Sequence, residues 1–430
     1  MVSIAMTNSK PRIIVATVGT GGDIQPFVTL AQGLSGRGHQ VLMLVPEFHA
    51  SFVESQGLEY KSVGTVSEFQ AVLENPDLWN ERKGLGVVWK GLEPYLGAVR
   101  ELVDQQPKDA PCLVLCNSLL VPMADIARYS RPDLRIVCGH LAPFNLCSSY
   151  DGLSLGSIRI PRRMPLSWRQ ALWGLIFKAA VDPVMLPSLN AFRTANHLPP
   201  LSGFIDHILN VPDASIGLFP NWFASVQPDW PSSFIESDFP FTPVAPTASL
   251  SPQLEHFLSA GEAPIAFTPG TGHRHASRYF AVALKALERL GRRGLLITSF
   301  AEQIPRDLPP GVMWIPHAPF NLLLRRLVAL VHHGGIGTTA EAFRSGIPQL
   351  IVPFAFDQFD NGSRARRLGV AEMLLTWQMT PRRLADRLTR LLSSAVVSRS
   401  CAKVAELAQR PAQSSLVECL EEALSINEGA

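Results

Sequence analysis

A surplus of positive charge is missing from this chain: 38 basic residues face 36 acidic ones, for a net charge of +2, so it lacks the basic excess that a nucleic-acid backbone requires. Metal-site spacing is missing too. The six cysteines, at 112, 116, 138, 147, 401 and 419, include no C-x-x-C pair and fall mostly inside apolar runs, as buried thiols do. No run reaches the roughly 18 uncharged apolar residues of a membrane span. The nearest, Cys112 to Met123, is interrupted by Asn117, Ser118 and Pro122 and reads as core. Residues 1–11 have no charged start, apolar centre or small-residue cleavage site, so a secretory signal is not expected and a cytoplasmic location is. Charge is sparse at 17% and apolar residues reach 47%, which excludes a disordered or coiled-coil chain and demands a large core.

What is present is a repeated α/β rhythm. Ile13 to Val18 is β-branched and uncharged, as a parallel strand buried on both faces must be. Gly19-Thr20-Gly21-Gly22-Asp23 follows, then Pro26 suits a helix first turn, with Phe27, Leu30, Ala31 and Leu34 at helical spacing. Val41 to Val45, Leu113 to Leu115 and Ile136 to Cys138 supply further strands. Prolines at 231, 240, 243, 246 and 252 mark a connector, after which strands recur at Pro264 to Thr268, Leu295 to Thr298, Leu327 to Val331 and Gln349 to Val352. The expected division is a domain at 1–235, a linker at 236–260, a second domain at 261–410 and a terminal helix in 411–430. Two open α/β sheets bind ligands beyond their strand carboxyl ends, which points to loops 19–25, 268–275 and 333–338.

The densest chemistry falls between 314 and 358: Trp314-Ile315-Pro316-His317, His333-Gly334-Gly335-Ile336-Gly337-Thr338-Thr339-Ala340-Glu341, and Pro353 to Gln358. Glycines let backbone approach a ligand, and a helix beginning at Gly337 to Thr339 would turn free N–H groups toward a phosphate. His333 can give that phosphate a proton or a hydrogen bond, and Trp314 offers a flat face to a base. One rival fits locally: Gly335 to Ala340 satisfies G-x-G-x-x-G/A, with Asp357 about 20 residues on, as in a nicotinamide-dependent oxidoreductase. That fingerprint normally follows the first strand of its domain, and here several strands precede it.

Taken together these residues resemble the signature of GT-B glycosyltransferases, enzymes with two Rossmann-like domains, whose pattern W-x-P-Q, H-C-G-W-N-S-T-x-E and D-Q corresponds to Trp314 to His317, His333 to Glu341 and Asp357-Gln358. His317 replaces Gln, and Gly334, Ile336, Gly337 and Thr338 depart within the central motif. The resemblance implies an α/β GT-B fold and metal-independent transfer without a cofactor. Trp314 would stack on the base, with backbone near Ile315 and His317 reading its edge, and Glu341 would hold the ribose. His333 and the helix start, with Gly335, would meet the diphosphate, Asp357 and Gln358 the sugar. Thr268, Gly270 and Thr271 join the donor loop, and Gly21 and Gly22 approach it from the first domain. In inverting members the base directly follows the first strand. Here Gly22-Asp23-Ile24-Gln25-Pro26 resembles the branch of sterol glucosyltransferases and bacterial lipid rhamnosyltransferases, which makes Asp23 the base, although Asp there also suits a helix cap.

Asn75 to Trp79, Leu218 to Phe223, Asp229-Trp230-Pro231 and Asp357 to Asn361 are similar to the rhamnosyltransferases that act on hydroxy fatty acid dimers. That likeness implies transfer of L-rhamnose from dTDP-L-rhamnose, with UDP-glucose the second candidate donor, and an acceptor supplied by a partner enzyme. Met164, Leu166, Trp168, Leu172, Trp173, Ile176 and Phe177, interleaved with Arg159, Arg162, Arg163 and Arg169, could line a lipid tunnel, rest on a membrane surface or form an ordinary amphipathic helix. Arginines 364, 366, 367, 382, 383, 387 and 390 read as a solvated helix face. Ser415 to Ile426 is expected to cross back to the first domain.

Overall fold

The computed structural model describes residues 12–151, 154–161, 163–242, 249–410 and 416–425. Its first sheet is built from β1 (Arg12–Ala16), β2 (Gln40–Pro46), β3 (Glu59–Val63), β4 (Cys112–Asn117), β5 (Arg135–His140), β8 (Ala214–Gly217) and β9 (Phe234–Glu236), in the order β3-β2-β1-β4-β5-β8-β9. A two-stranded hairpin, β6 (Ser154–Leu155) and β7 (Ile158–Arg159), stands apart from it. The second sheet runs β12 (Val312–Ile315), β11 (Gly294–Ile297), β10 (Ile265–Thr268), β13 (Ala329–His332), β14 (Gln349–Ile351), β15 (Ala371–Met373). Every pair within these two sheets is parallel, and both reverse their winding beside the first strand, at β1/β4 and at β10/β13. The loops leaving β1, β10 and β13 therefore rim one crevice.

Uncharged strands account for this architecture. β4 and β10 are buried along their whole length, and helices cover both faces of each sheet. The first helix, α1 (Gly21–Gly36), starts a turn earlier than Pro26 suggests, because Thr20 caps it, so Pro26 lies inside it. A further cluster is shared by the two halves: Phe219, Phe223 and Trp230 pack with Ile336 and Phe343. Phe343 lies 5.6 Å from Trp222 and 5.7 Å from Phe223, ring to ring. Residues 243–248 of the connector, and the prolines at 243 and 246, lie outside the described residues, as do 1–11, Arg162, Ser415 and Ile426. The terminal helix Leu416–Ser425 lies against α1 and β8, with Arg37 bonded to Glu418 and Glu421.

The arginines do not form one solvated face. Arg364 is buried between Asp360 (2.6 Å) and Asp151 (2.5 Å) of the other half, and Arg387 pairs with Glu372. Helical continuity also alters the picture of apolar runs. Leu166–Ala195 is one unbroken 30-residue rod, long and apolar enough by length and composition to cross a membrane, which no uninterrupted apolar stretch of the sequence foretold.

Candidate active site

Asp23 is fixed by its own helix. It is the third residue of α1, and its Oδ2 accepts the backbone N–H of Thr20 at 2.7 Å and the Thr20 hydroxyl at 3.2 Å. Oδ1 has no hydrogen-bond partner among the described residues. Capping and reactivity thus use different oxygens of one carboxylate. The turn beneath it requires Gly19: at φ +119° a side chain is strained, and a Cβ would lie 2.3 Å from Asp23 Oδ2. His49 Nε2 holds the Gly19 carbonyl at 3.1 Å. Desolvation in the crevice lifts the Asp23 pKa to about 6, against the lowering pull of its Thr20 bonds.

The opposite wall comes from the second sheet. Thr268 ends β10 and is buried, its hydroxyl accepting Gly270 N–H at 3.2 Å. Gly270 faces the His333 ring, and Thr271 faces Gly21, where a methyl would sit 3.6 Å from Thr271 Oγ1. Gly22 is exposed one residue further along. His333 leaves β13 beside Gly335, where a Cβ would fall 2.4 Å from His333 Nε2. Burial and then the neighbouring His332 push the His333 pKa down to about 3, so near neutral pH it is a hydrogen-bond donor and not an acid. Its Nδ1 is buried and has no hydrogen-bond partner among the described residues. The following helix is Ile336–Ser345 with Gly335 as its cap, one residue ahead of the expected start. Ile336, Gly337 and Thr338 therefore carry the free first-turn N–H groups. Thr339 does not reach the crevice: it is buried and its hydroxyl donates to Gly335 O at 2.9 Å.

Asp357 caps the helix Gln358–Arg367 and receives Asn361 Nδ2 at 2.7 Å. Burial raises its pKa to about 7, and the negative charge of Asp23 adds to that rise, which puts the two carboxylates within electrostatic reach of each other across the crevice. Gln358 is buried, and its Oε1 accepts the N–H groups of Phe354 (2.8 Å) and Ala355 (3.2 Å), so that oxygen shapes the loop. Trp314 lies on the edge strand β12, half-buried, with its indole N–H on Thr298 O at 2.9 Å. Ile315 is buried and His317 exposed. Glu341 is bound at 2.6 Å by Arg344 and stays above the usual carboxylate range through burial, which Arg344 partly offsets.

Several residues of the site carry no motif. Trp79 reaches across from the first half to stack on His273 at 5.3 Å and 4°, and meets Phe356 edge-on at 5.9 Å. Its segment, the loop of His273 and the run holding Phe356 each stood out in the sequence, but their contact across the crevice did not. Asn361 ties the two loops together, donating to both Gly334 O (3.0 Å) and Asp357. A methyl at Gly272 would come within 2.6 Å of Thr20 Cγ2, which shows how closely the walls meet. Among the described residues no cluster of three or more His, Cys, Asp or Glu is placed to hold a metal. The arrangement offers a poised carboxylate on one side and a neutral imidazole with free helix N–H groups on the other, a set suited to proton abstraction and to an anionic leaving group.

Comparisons with known proteins agree with that chemistry. The model of the erythromycin biosynthesis protein CIII-like, C-terminal domain matches residues 295–423, and that of the glycosyltransferase family 28 N-terminal domain matches 13–106. The chain is 30% identical over 376 residues to the O-mycaminosyltylonolide 6-deoxyallosyltransferase of Streptomyces fradiae, covering 84% of each. It is 23% identical over 381 residues to a sterol 3-beta-glucosyltransferase of Komagataella phaffii, covering 84% of this chain and 30% of that one. The solved structure of glycosyltransferase VinC in complex with dTDP shares the fold, with a TM-score of 0.65 at 20% identity over 96% of this chain and 99% of that one. The oxidoreductase alternative falls. Besides these matches, its glycine fingerprint follows β13, the fourth strand of its sheet in chain order.

Proposed function

The chain belongs to the nucleotide-sugar-dependent GT-B glycosyltransferases, and on that premise we propose that it is an inverting enzyme moving L-rhamnose from dTDP-L-rhamnose to the free hydroxyl of a hydroxy fatty acid dimer, giving a mono-rhamnolipid. The observation that carries this is Asp23, pinned through Oδ2, free at Oδ1, and set opposite the His333 loop. Asp23 takes the acceptor proton as the hydroxyl oxygen bonds to the anomeric carbon. The bond from that carbon to the diphosphate breaks on the far side, and His333 with the N–H groups of Ile336, Gly337 and Thr338 meets the departing charge. Trp314, Ile315 and His317 are assigned to the base, Glu341 to the ribose, and Asp357 with the Gln358 amide to sugar hydroxyls.

The S. fradiae relative is named for a 6-deoxyhexose, which supports a sugar of rhamnose type. An apolar acceptor is supported beside the base. Phe48, 37% exposed, stacks on Phe69 at 4.7 Å, next to the His49 that holds Gly19. The acceptor itself would come from a partner enzyme that esterifies one hydroxy acid with another. A second donor, UDP-glucose, is favoured by the sterol glucosyltransferase likeness. Purified protein given a 3-(3-hydroxyalkanoyloxy)alkanoate with dTDP-L-rhamnose or UDP-glucose in separate tubes is expected to yield the rhamnosylated lipid by mass spectrometry. A glucosylated product alone would overturn the donor. No product from either tube, with dTDP still raising the melting temperature, would overturn the acceptor.

A further inference from the structure

The helix Leu166–Ile176 presents an apolar face to solvent. Trp168 is 68% exposed and Leu175, seven residues on, 64%, while Ala171 and Ala179 extend the same stripe and are exposed as well. Shortly before it in the chain, the hairpin β6/β7 carries Ile158, 69% exposed. The other side of the helix is anchored: Trp173 is buried, stacks on Phe177 at 4.9 Å and donates to Ser148 O, and Arg169 donates to Tyr150 O. These contacts exclude a lipid tunnel for Trp168 and Leu175, which point away from the domain.

Spanning a membrane is excluded by the second half of the rod. There Met185, Leu189 and Arg193 are buried in the first domain, Arg193 binds Asp125 at 2.9 Å, and Asp182 accepts Phe204 N–H. Charge then selects the occupant of the exposed face. Among the described side chains of residues 163–181, Arg163, Arg169 and Lys178 are basic and none is acidic, with Arg163 and Lys178 exposed, in a chain whose net charge is only +2. Glu81 sits at the hairpin, accepting from Ser157 at 3.2 Å, but residues 163–181 themselves carry cations and no carboxylate. A tryptophan-bearing apolar stripe of that kind matches the interface of an anionic bilayer, whose headgroups attract Lys and Arg while the acyl boundary accepts Trp and Leu. A protein partner would have to present its own acidic rim, and nothing on this face discriminates for one.

We propose that the Trp168–Leu175 face is an interfacial docking surface for anionic lipid, holding the enzyme on a membrane without crossing it. This does not depend on which acceptor the cleft takes. The test is sedimentation of the full chain with vesicles of phosphatidylglycerol and phosphatidylethanolamine, or of phosphatidylcholine alone, at low and high salt. Wild type is expected to bind the anionic vesicles, less at high salt, and W168E/L175E to bind them roughly tenfold or more weakly. The double variant should keep the dTDP thermal shift and turnover of a short soluble acceptor, which shows that it is folded and separates this surface from the catalytic assignment. Equal binding by the two proteins, no binding by wild type, or a wild-type dimer that the double variant dissolves would each overturn the proposal.

Discussion

Asp23 and Asp357 are two carboxylates in one crevice with displaced pKa values, about 6 and about 7. Between these values the pair holds one proton, chiefly on Asp357, so that Asp23 is the ionised member able to accept from an alcohol. Activity needs that ionised form. The kcat/KM profile should therefore fall tenfold per unit below about pH 6, and Asp357→Asn, which replaces a carboxyl already neutral at that pH, should leave the position of that limb unchanged. Asp23→Asn should lower kcat by about 10²–10⁴-fold with the dTDP affinity unchanged, and normal turnover would sink the assignment of the base. Gly335 is the complementary case, because a Cβ there would sit 2.4 Å from His333 Nε2 and force the imidazole aside. Gly335→Ala should weaken dTDP binding by roughly tenfold in calorimetry, the value of one charge-assisted hydrogen bond, while the far-UV spectrum stays native.

At the level of elements, the crevice depends on how its two walls are joined. The helix Gln358–Arg367 is held to the segment after β5 by Arg364, buried at 5% exposure between Asp360 and Asp151. Removing the cation leaves Asp360 and Asp151 buried, with the more exposed Arg367, 3.5 Å from Asp151, as counter-charge. Arg364→Ala should cost about 3–5 kcal/mol in urea unfolding, whereas Arg364→Met with both aspartates changed to Asn should recover much of it. A loss below about 1 kcal/mol for Arg364→Ala would show the network to be solvated. The aromatic contact of Trp79 with His273 and Phe356 and the Glu74–Arg274 pair span the same seam, and they sit next to the loop of Asp23.

For the whole molecule, β1, β4, β10 and β11 were legible because burial on both faces forbids charge, and their carboxyl ends pointed to the loops that rim the crevice. Edge strands escaped notice: β3 carries Glu59 and Lys61, and β15 carries Glu372, since only one neighbour and one buried face constrain them. His333, Asp23 and Asp357 were legible as motif residues, whereas Trp79 with His273, or Arg364 with Asp151, are joined across some 200 residues and leave no local pattern. Burial also sets the response to pH. Six of the 11 histidines, His49, His140, His207, His273, His332 and His333, have pKa values lowered chiefly by desolvation, to about 3 for His140, His273 and His333 and about 4 for His332. Below about pH 6.5 the unfolded chain binds protons at these sites and the folded one does not, so acid destabilises. Asp23 and Asp357 act oppositely, since the folded form keeps protons from about pH 4 to about pH 7 that the unfolded chain has released. Asp238, Glu341 and Asp360, also raised by burial, act in the same sense as these aspartates, and the six histidines still outnumber the five carboxyls, so the folding free energy should fall as pH drops from about 7 to about 5 and change little above 7. His140→Asn, at a buried site where Nε2 meets Ser215 Oγ at 3.3 Å, should flatten that slope by roughly one proton. Urea midpoints across this range would refute the balance if stability were flat or rose toward acid.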